Sequence, residues 1–310
     1  MPSPRSASPE LQSAMDEVAE AVNRTIERLL PETDLSEAKL YKAMRHGTLG
    51  GSKSGGGGKR LRPFLCMQSA SLFNVPTSRS RRVAAALEFV HCYSLIHDDL
   101  PAMDNASLRR GKPTVHIEYD DATAILAGDA LLSLAFEILA DSETHPDPHV
   151  RCELVRALAI ASGGHGMVGG QMLDLIAEDD DVNFDVGEIS RLQRMKTGKL
   201  MAFACEAGAI LGKASEQQRK ALCNFAFDLG LAFQVTDDIL DVEADPQDTG
   251  KDAGKDENAG KATFVSTLGK EAARNRAEMI VAQATRHLKI FEGREEMLKE
   301  LADYVLERRA

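Results

Sequence analysis

Apolar residues recur along most of this chain at steps of three and four, the spacing of one helix face, while alternation at every second residue is rare. The first such stretch covers residues 9–30, with Leu11, Met15, Val18, Ala21, Val22 and Ile26 in phase. Ser8 suits an N-cap, Pro9 suits the first turn, and Pro31 ends the pattern. A second helix is predicted over about 36–44. The stretch GTLGGSKSGGGG, residues 47–58, predicts a loop, because each glycine costs a helix about 1 kcal/mol relative to alanine. Further helices are predicted over 62–72, 80–104, 122–140, 150–161, 167–176, 187–212 and 215–242, with Pro101 bending or ending the 80–104 helix. HPDPH at 145–149 is a break, 243–261 is a polar loop, and helices over 262–268, 270–289 and 296–308 close the chain. No repeat and no linker divides the pattern. It predicts one all-α domain over residues 1–310, helix packed on helix, with a flexible tail over about 1–8.

Composition narrows the picture without changing it. Hydrophobic residues make up 43% of the 310, enough for a large core and too many for a disordered chain. A net charge of -11 disfavours a nucleic-acid binder. Cys66, Cys92, Cys152, Cys205 and Cys223 are odd in number and widely spaced, as expected of thiols in a reducing compartment. No apolar run approaches 18 residues and the N-terminal stretch lacks an apolar signal core, so the expected protein is cytoplasmic and not integral to a membrane.

Two acidic clusters carry the candidate chemistry. HDDLPAMD contains Asp98, Asp99 and Asp104; TDDILD contains Asp237, Asp238 and Asp241. Both sit in apolar helical surroundings, where an aspartate is costly unless paired, hydrogen-bonded or bound to metal. Asp237 and Asp241 are four apart and share a helix face about 6 Å apart; Asp98 and Asp104 would be about 9 Å apart by helical rise, brought closer by a kink at Pro101. Oxygen ligands suit Mg²⁺ or Mn²⁺ and not zinc. Basic residues lie beside both clusters: Lys59 and Arg62, Arg109 and Arg110, Lys196, and Lys251, Lys255 and Lys261. Mixed with carboxylate-bound Mg²⁺ they make a polyphosphate site, and without it they make salt bridges. The glycine-rich stretch fails the P-loop pattern, since Arg60 follows Lys59 and no strand precedes it.

With GGKRLRP (57–63), SLIHDDLPAMD (94–104), LRRGKPT (108–114), AILAGDALL (124–132), GGQMLD (169–174), KTG (196–198), FQVTDDILD (233–241) and GKDAGKDENAGKAT (250–263) in this order, the chain resembles the trans-isoprenyl diphosphate synthases, closest to the bacterial farnesyl diphosphate synthase type. The resemblance runs from about residue 10 to the C-terminus. It implies the isoprenoid synthase fold, a homodimer of antiparallel helical bundles each around a central cavity. It implies three Mg²⁺ held between Asp98, Asp99 and Asp104 and the facing Asp237, Asp238 and Asp241. It assigns the allylic diphosphate to Arg109, Lys196, Thr197, Gln234 and Lys251, with Lys261 as a further candidate, and isopentenyl diphosphate to Lys59, Arg62, His91 and Arg110. Asp98, Asp104, Lys196, Asp237 and Lys251 form the implied catalytic set. His91 and His97 each have an alternative reading as packing residues.

Product length follows from depth. Tyr93 and Ser94 lie four to five residues before Asp98, so a ring at Tyr93 would floor a tunnel about one helical turn below the metal site and favour a C15 product. Two features depart from the family pattern: Asp104-Asn105-Ala106-Ser107 replaces an acidic run, and the glycine-rich approach to Lys59 is long. A geranylgeranyl diphosphate synthase is the main alternative. A terpene cyclase lacks the cation set, and a non-catalytic synthase subunit would not need both aspartate motifs.

Overall fold

The computed structural model describes residues 7–50, 60–178, 182, 184–243 and 264–307. Helices α1 (Pro9–Leu29), α2 (Ala38–Leu49), α3 (Leu61–Ser71) and α4 (Thr77–Asp98) lead to a two-stranded hairpin, β1 (Leu108–Arg109) and β2 (Lys112–Pro113). Then come α5 (Val115–Glu118), α6 (Asp121–Ala140), α7 (Pro148–Ser162), α8 (Met167–Ala177) and α9 (Val186–Gln193). A π-helical turn, Arg194–Gly198, joins α9 to α10 (Lys199–Leu211), followed by α11 (Glu216–Glu243), α12 (Phe264–Leu268), α13 (Lys270–His287), a 3₁₀ turn at Leu288–Phe291 and α14 (Glu296–Glu307). This is the all-α bundle that the periodicity predicts.

Helix α4 is the axis of the bundle. It is buried nearly all round, from Val83 through Val90 and again at Cys92, Tyr93 and Ile96, and it packs on α1, α2, α3, α6 and α10. Helix α10 is likewise buried, between α3, α7 and α11, and α11 packs along α13. Close crossings are made at glycines: a Cβ on Gly208 would stand 2.4 Å from the Ala70 nitrogen, so α10 and α3 meet backbone to backbone only because that position has no side chain.

Several boundaries differ from the sequence pattern, each for a local reason. Ser8 is part of the structure: its hydroxyl oxygen accepts the Leu11 N–H at 3.0 Å and its hydroxyl donates to Glu300 at 3.0 Å. Helix α2 runs on past Met44 to Leu49, through Gly47, which lies where α2 crosses α4; a Cβ there would be 2.5 Å from the Ile96 Cδ1. Gly50, in the left-handed region with φ 65°, ends it. The rest of the glycine-rich stretch, 244–261 of the polar stretch and the first two residues of the predicted 262–268 helix lie outside the described residues.

Helix α4 ends at Asp98 and not at Asp104, because the residue before a proline avoids the helical region and Pro101 makes Leu100 that residue. The chain turns back instead, and the Asp104 N–H donates to the Asp98 carbonyl at 2.9 Å. The 9 Å helical rise therefore does not apply, and the backbones of Asp98 and Asp104 are adjacent. Asn105, with φ 47°, makes the left-handed turn, a role asparagine fills more readily than most residues. Helix α6 is long and apolar enough to cross a membrane by length and composition, which no uninterrupted apolar run suggests; it packs along α4.

Candidate active site

The first aspartate motif is built around the end of α4. Asp98 and Asp99 are 6% and 3% exposed, so their charge must be met by the protein or by a ligand. Asp99 is met by Arg109, whose Nε donates to both carboxylate oxygens at 2.9 Å and whose Nη2 donates at 2.6 Å. Burial raises the Asp99 carboxyl above its ordinary value despite Arg109. Burial would lower the Arg109 guanidinium, but Asp99, Asp98 and Asp104 hold it above the ordinary value.

Asp98 accepts the Gln171 amide at 2.7 Å and has the Lys196 Nζ at 3.8 Å. Lys196 is drawn mainly to Asp174, at 2.5 Å. Burial pushes Asp98 up, Lys196 and Gln171 pull it back, and Asp104 adds to the rise. Asp104 itself is exposed and acts on Asp98, Asp99, Arg109 and Lys196 through its charge, which places it over the same site.

Gln171 and Asp174 are the residues that sequence reasoning leaves without a role, although GGQMLD contains both. Three apart on α8, they share one face and hold Asp98 and Lys196 in turn. This works because α8 meets the π turn at Gly170, where a Cβ would fall 2.2 Å from the Lys196 nitrogen. The π turn aims Lys196 at the carboxylates; such turns recur at functional sites. Thr197 is half-buried in the same turn. Gly198 closes the turn against α11, facing Phe227 and Gly230.

Gly230 is about two turns upstream of Asp237 on α11. Asp237 and Asp241 are half-buried. Asp238 is buried and turned toward the chain itself: one oxygen accepts the Phe264 N–H at 3.0 Å and the other accepts the Gln234 amide at 3.2 Å. Asp99 and Asp238 are thus engaged by Arg109 and by Phe264 with Gln234. Among the described residues no group of three or more carboxylate, imidazole or thiol side chains is gathered as a ready metal cage. Asp98 and Asp104 have Lys196 and Arg109 beside them, and Asp237 and Asp241 would add oxygen donors from α11; an all-oxygen set of this kind fits Mg²⁺.

A second group of cations lies about two turns back along α4 from Asp98. Arg60 is fully buried, with φ 45°; it donates to Glu88 at 2.5 Å, to Asn23 and to the Thr48 carbonyl, tying α1, α2 and α4 to the start of α3. Arg62 Nη1 lies 3.4 Å from His91 Nε2, and the buried Arg62 Nε has no hydrogen-bond partner among the described residues. Burial, with Arg62, Arg110 and Arg109 facing it, holds His91 well below the ordinary histidine range, so it is neutral at pH 7. Arg62 in turn is lowered by burial, partly opposed by Glu88, and lowered further by Arg110. Arg62, His91 and Arg110 are therefore together, and an unpartnered guanidinium nitrogen is left for an anion. Lys59, Lys251 and Lys261 lie outside the described residues.

Tyr93 is 6% exposed and stands edge-on to His97, with ring centroids 5.7 Å apart. Its hydroxyl is pushed up to about 12 by burial and by the nearby Asp98. The Ser94 carbonyl lies 3.4 Å from the Gln171 amide. His97 is a packing residue: it lies over Gly128, where a Cβ would sit 2.1 Å from its Nε2, and that nitrogen donates to the Ile125 carbonyl at 3.1 Å. A cavity of about 430 Å³ opens between the α1–α2 linker, α2 and Tyr119, and a pocket of about 40 Å³ lies beneath the hairpin. Neither is a tunnel descending from Asp98.

Fold and site together define an all-helical enzyme that handles diphosphates between aspartates and cations. Residues 50–304 match the polyprenyl synthetase family, and the chain belongs to that family. It is 42% identical to a farnesyl diphosphate synthase of Escherichia coli, over 92% of this chain and 95% of that protein. It is 39% identical to geranylgeranyl pyrophosphate synthase 4 of Arabidopsis thaliana, over 89% and 72%. The solved structure of an FPP/GFPP synthase from Zymomonas mobilis, without ligand, superposes with a TM-score of 0.86 at 47% identity, covering 96% of this chain and 99% of that one. The protein is thus an isoprenoid synthase of the trans-prenyltransferase type, which condenses isopentenyl diphosphate with an allylic diphosphate.

Proposed function

We propose that this enzyme is a farnesyl diphosphate synthase, extending dimethylallyl and then geranyl diphosphate to the (E,E) C15 product. The observation that supports this length is Tyr93, a buried ring on α4 close enough to Asp98 for its hydroxyl to feel that carboxylate. A prenyl chain growing down from Asp98 meets that ring about one helical turn below.

The allylic substrate lies with its diphosphate toward Asp98, Asp104, Asp237 and Asp241, which would hold Mg²⁺, and toward Arg109, Lys196, Thr197, Gln234, Lys251 and Lys261. Mg²⁺ held there would supply positive charge to neutralise the departing diphosphate. Lys196, kept protonated by Asp174 and Asp98 against its burial, adds a fixed positive charge at the same place. The allylic carbon–oxygen bond breaks, its electron pair leaving with diphosphate. Isopentenyl diphosphate, held by Lys59, Arg62, His91 and Arg110, offers its double bond to the allylic cation and forms the new carbon–carbon bond. A proton is then lost to the released diphosphate, restoring an E double bond. Asp99 and Asp238 serve by holding Arg109 and the start of α12.

Two copies form the active particle through α6, α7 and α8, which follow one another and expose Ile125, Leu126, Ile160, Val168 and Met172. The free thiols, three of them buried, suit a cytoplasmic enzyme.

Product analysis of Tyr93→Ala tests the chain-length claim. Removing the ring should shift the product from C15 toward C20. An active variant with an unchanged product would remove Tyr93 as the floor, and a wild-type protein that accumulates C20 would favour a geranylgeranyl diphosphate synthase.

A further inference from the structure

Among the described residues, the groups assigned to isopentenyl diphosphate come from two places, the core and the hairpin. Arg62 and His91 sit on α3 and α4, within the core. Arg110 sits in the turn of the hairpin, at φ 53°, followed by Gly111 at φ 74°; both central residues are left-handed, as a two-residue hairpin turn requires. An isolated two-stranded hairpin is marginal by itself, so its place must be set by what holds it.

Three attachments are present. Arg109 forks onto Asp99. Thr114 closes the base, its N–H donating to the Ser107 carbonyl at 3.1 Å and its hydroxyl to the Ala106 carbonyl at 2.8 Å. The third comes from α2: His46 Nε2 lies 2.8 Å from the Pro113 carbonyl oxygen. A carbonyl only accepts, so Nε2 carries the proton. Tyr119 stands edge-on to the imidazole, with centroids 6.0 Å apart. One residue on, Gly47 lets α2 touch Ile96 of α4, and the small pocket under the hairpin is lined by His46, Gly47, Asp99, Arg109 and Arg110. Helix α2 also contributes the Thr48 carbonyl to Arg60, two residues before Arg62.

We propose that His46 is a positioning residue for isopentenyl diphosphate, setting the Arg110 turn against Arg62 and His91. Helix α2 holds Arg60 at one end of this group and the hairpin at the other, and the imidazole donor makes the second attachment. Arg109 is fixed independently by Asp99, so loss of the His46 bond moves Arg110 more than it moves Arg109. The inference rests on Arg110 receiving isopentenyl diphosphate.

The test is steady-state kinetics of His46→Phe, His46→Gln and His46→Asn, with Arg110→Ala in parallel and thermal unfolding of each. Phenylalanine keeps the ring against Tyr119 and removes the donor. Glutamine places an amide nitrogen near the Nε2 position; asparagine falls short of it. His46 is half-buried, so the glutamine and asparagine variants should fold alike. The expected result is a KM for isopentenyl diphosphate raised about tenfold in His46→Phe and His46→Asn, corresponding to about 1.4 kcal/mol. The KM for geranyl diphosphate and kcat should stay within about twofold, as for the loss of uniform binding to one substrate, and His46→Gln should restore the wild-type value. An unchanged KM in His46→Phe, or equal KM values for the glutamine and asparagine variants, overturns the proposal while Arg110→Ala still raises that KM. If Arg110→Ala leaves the KM for isopentenyl diphosphate unchanged, the assignment of Arg110 fails and His46 falls with it.

Discussion

At the scale of single residues, the site depends on which buried charges have partners. Arg60 and Glu88 form a closed pair, 0% and 2% exposed; removing one partner of such a pair costs about 3–5 kcal/mol, because the other charge is left in the core. His91 is the reverse case, a neutral group among cations. Its ionisation in the folded protein lies well below 6.5, so the stability it contributes is present above pH 6.5 and is lost as pH falls below that value. Each pH unit in that window removes up to about 1.4 kcal/mol. Denaturant unfolding at pH 7.5 and 5.5 should show this loss in the wild type and a smaller one in His91→Gln; identical pH dependence in the two proteins would contradict it. Residue type and spacing single out the two aspartate clusters and the basic residues beside them as candidates. What they bond to is not legible there, since nothing local in the sequence tells Asp98, held by Gln171 and Lys196, from Asp238, which accepts the Phe264 N–H across 26 residues.

At the scale of elements, the periodicity predicts nearly every helix, and it fails where a tertiary contact overrides propensity. Gly47 reads as a loop residue and is a helix residue, because α2 needs a position without a side chain where it meets Ile96. The run 187–212 reads as one helix and contains a π turn, whose extra residue leaves no mark on a three-and-four pattern. The hairpin is too short to show alternation. Gly170 allows the most consequential contact between elements, since it brings α8 within reach of the π turn. Gly170→Ala should lower kcat/KM about tenfold to a hundredfold by shifting Lys196 away from Asp98 and Asp174. Gly164, whose Cβ would meet nothing within 4 Å, is the control: Gly164→Ala should leave kcat/KM within about twofold. Equal effects of the two substitutions would show that the α8 contact does not set Lys196.

At the scale of the whole molecule, the fold brings α4, α8 and the π turn together and packs that turn on the helix that carries the second aspartate motif. Asp98 ends one buried helix, Lys196 sits in the π turn, and Asp237 lies about two turns beyond the place where that turn packs on α11. The outer faces of α6, α7 and α8 retain exposed apolar side chains. A solution mass of two chains is expected from light scattering, with Leu126→Glu shifting it toward one; a wild-type mass of one chain would contradict assembly on this face.

The decisive measurement is chromatographic analysis of what the purified protein makes from geranyl and isopentenyl diphosphates with Mg²⁺. A single C15 diphosphate is expected, absent when Mg²⁺ is chelated and in Asp98→Asn. Unconsumed substrates in the wild type, or a C15 product that forms equally well without Mg²⁺ or without the Asp98 carboxylate, would contradict the proposed reaction.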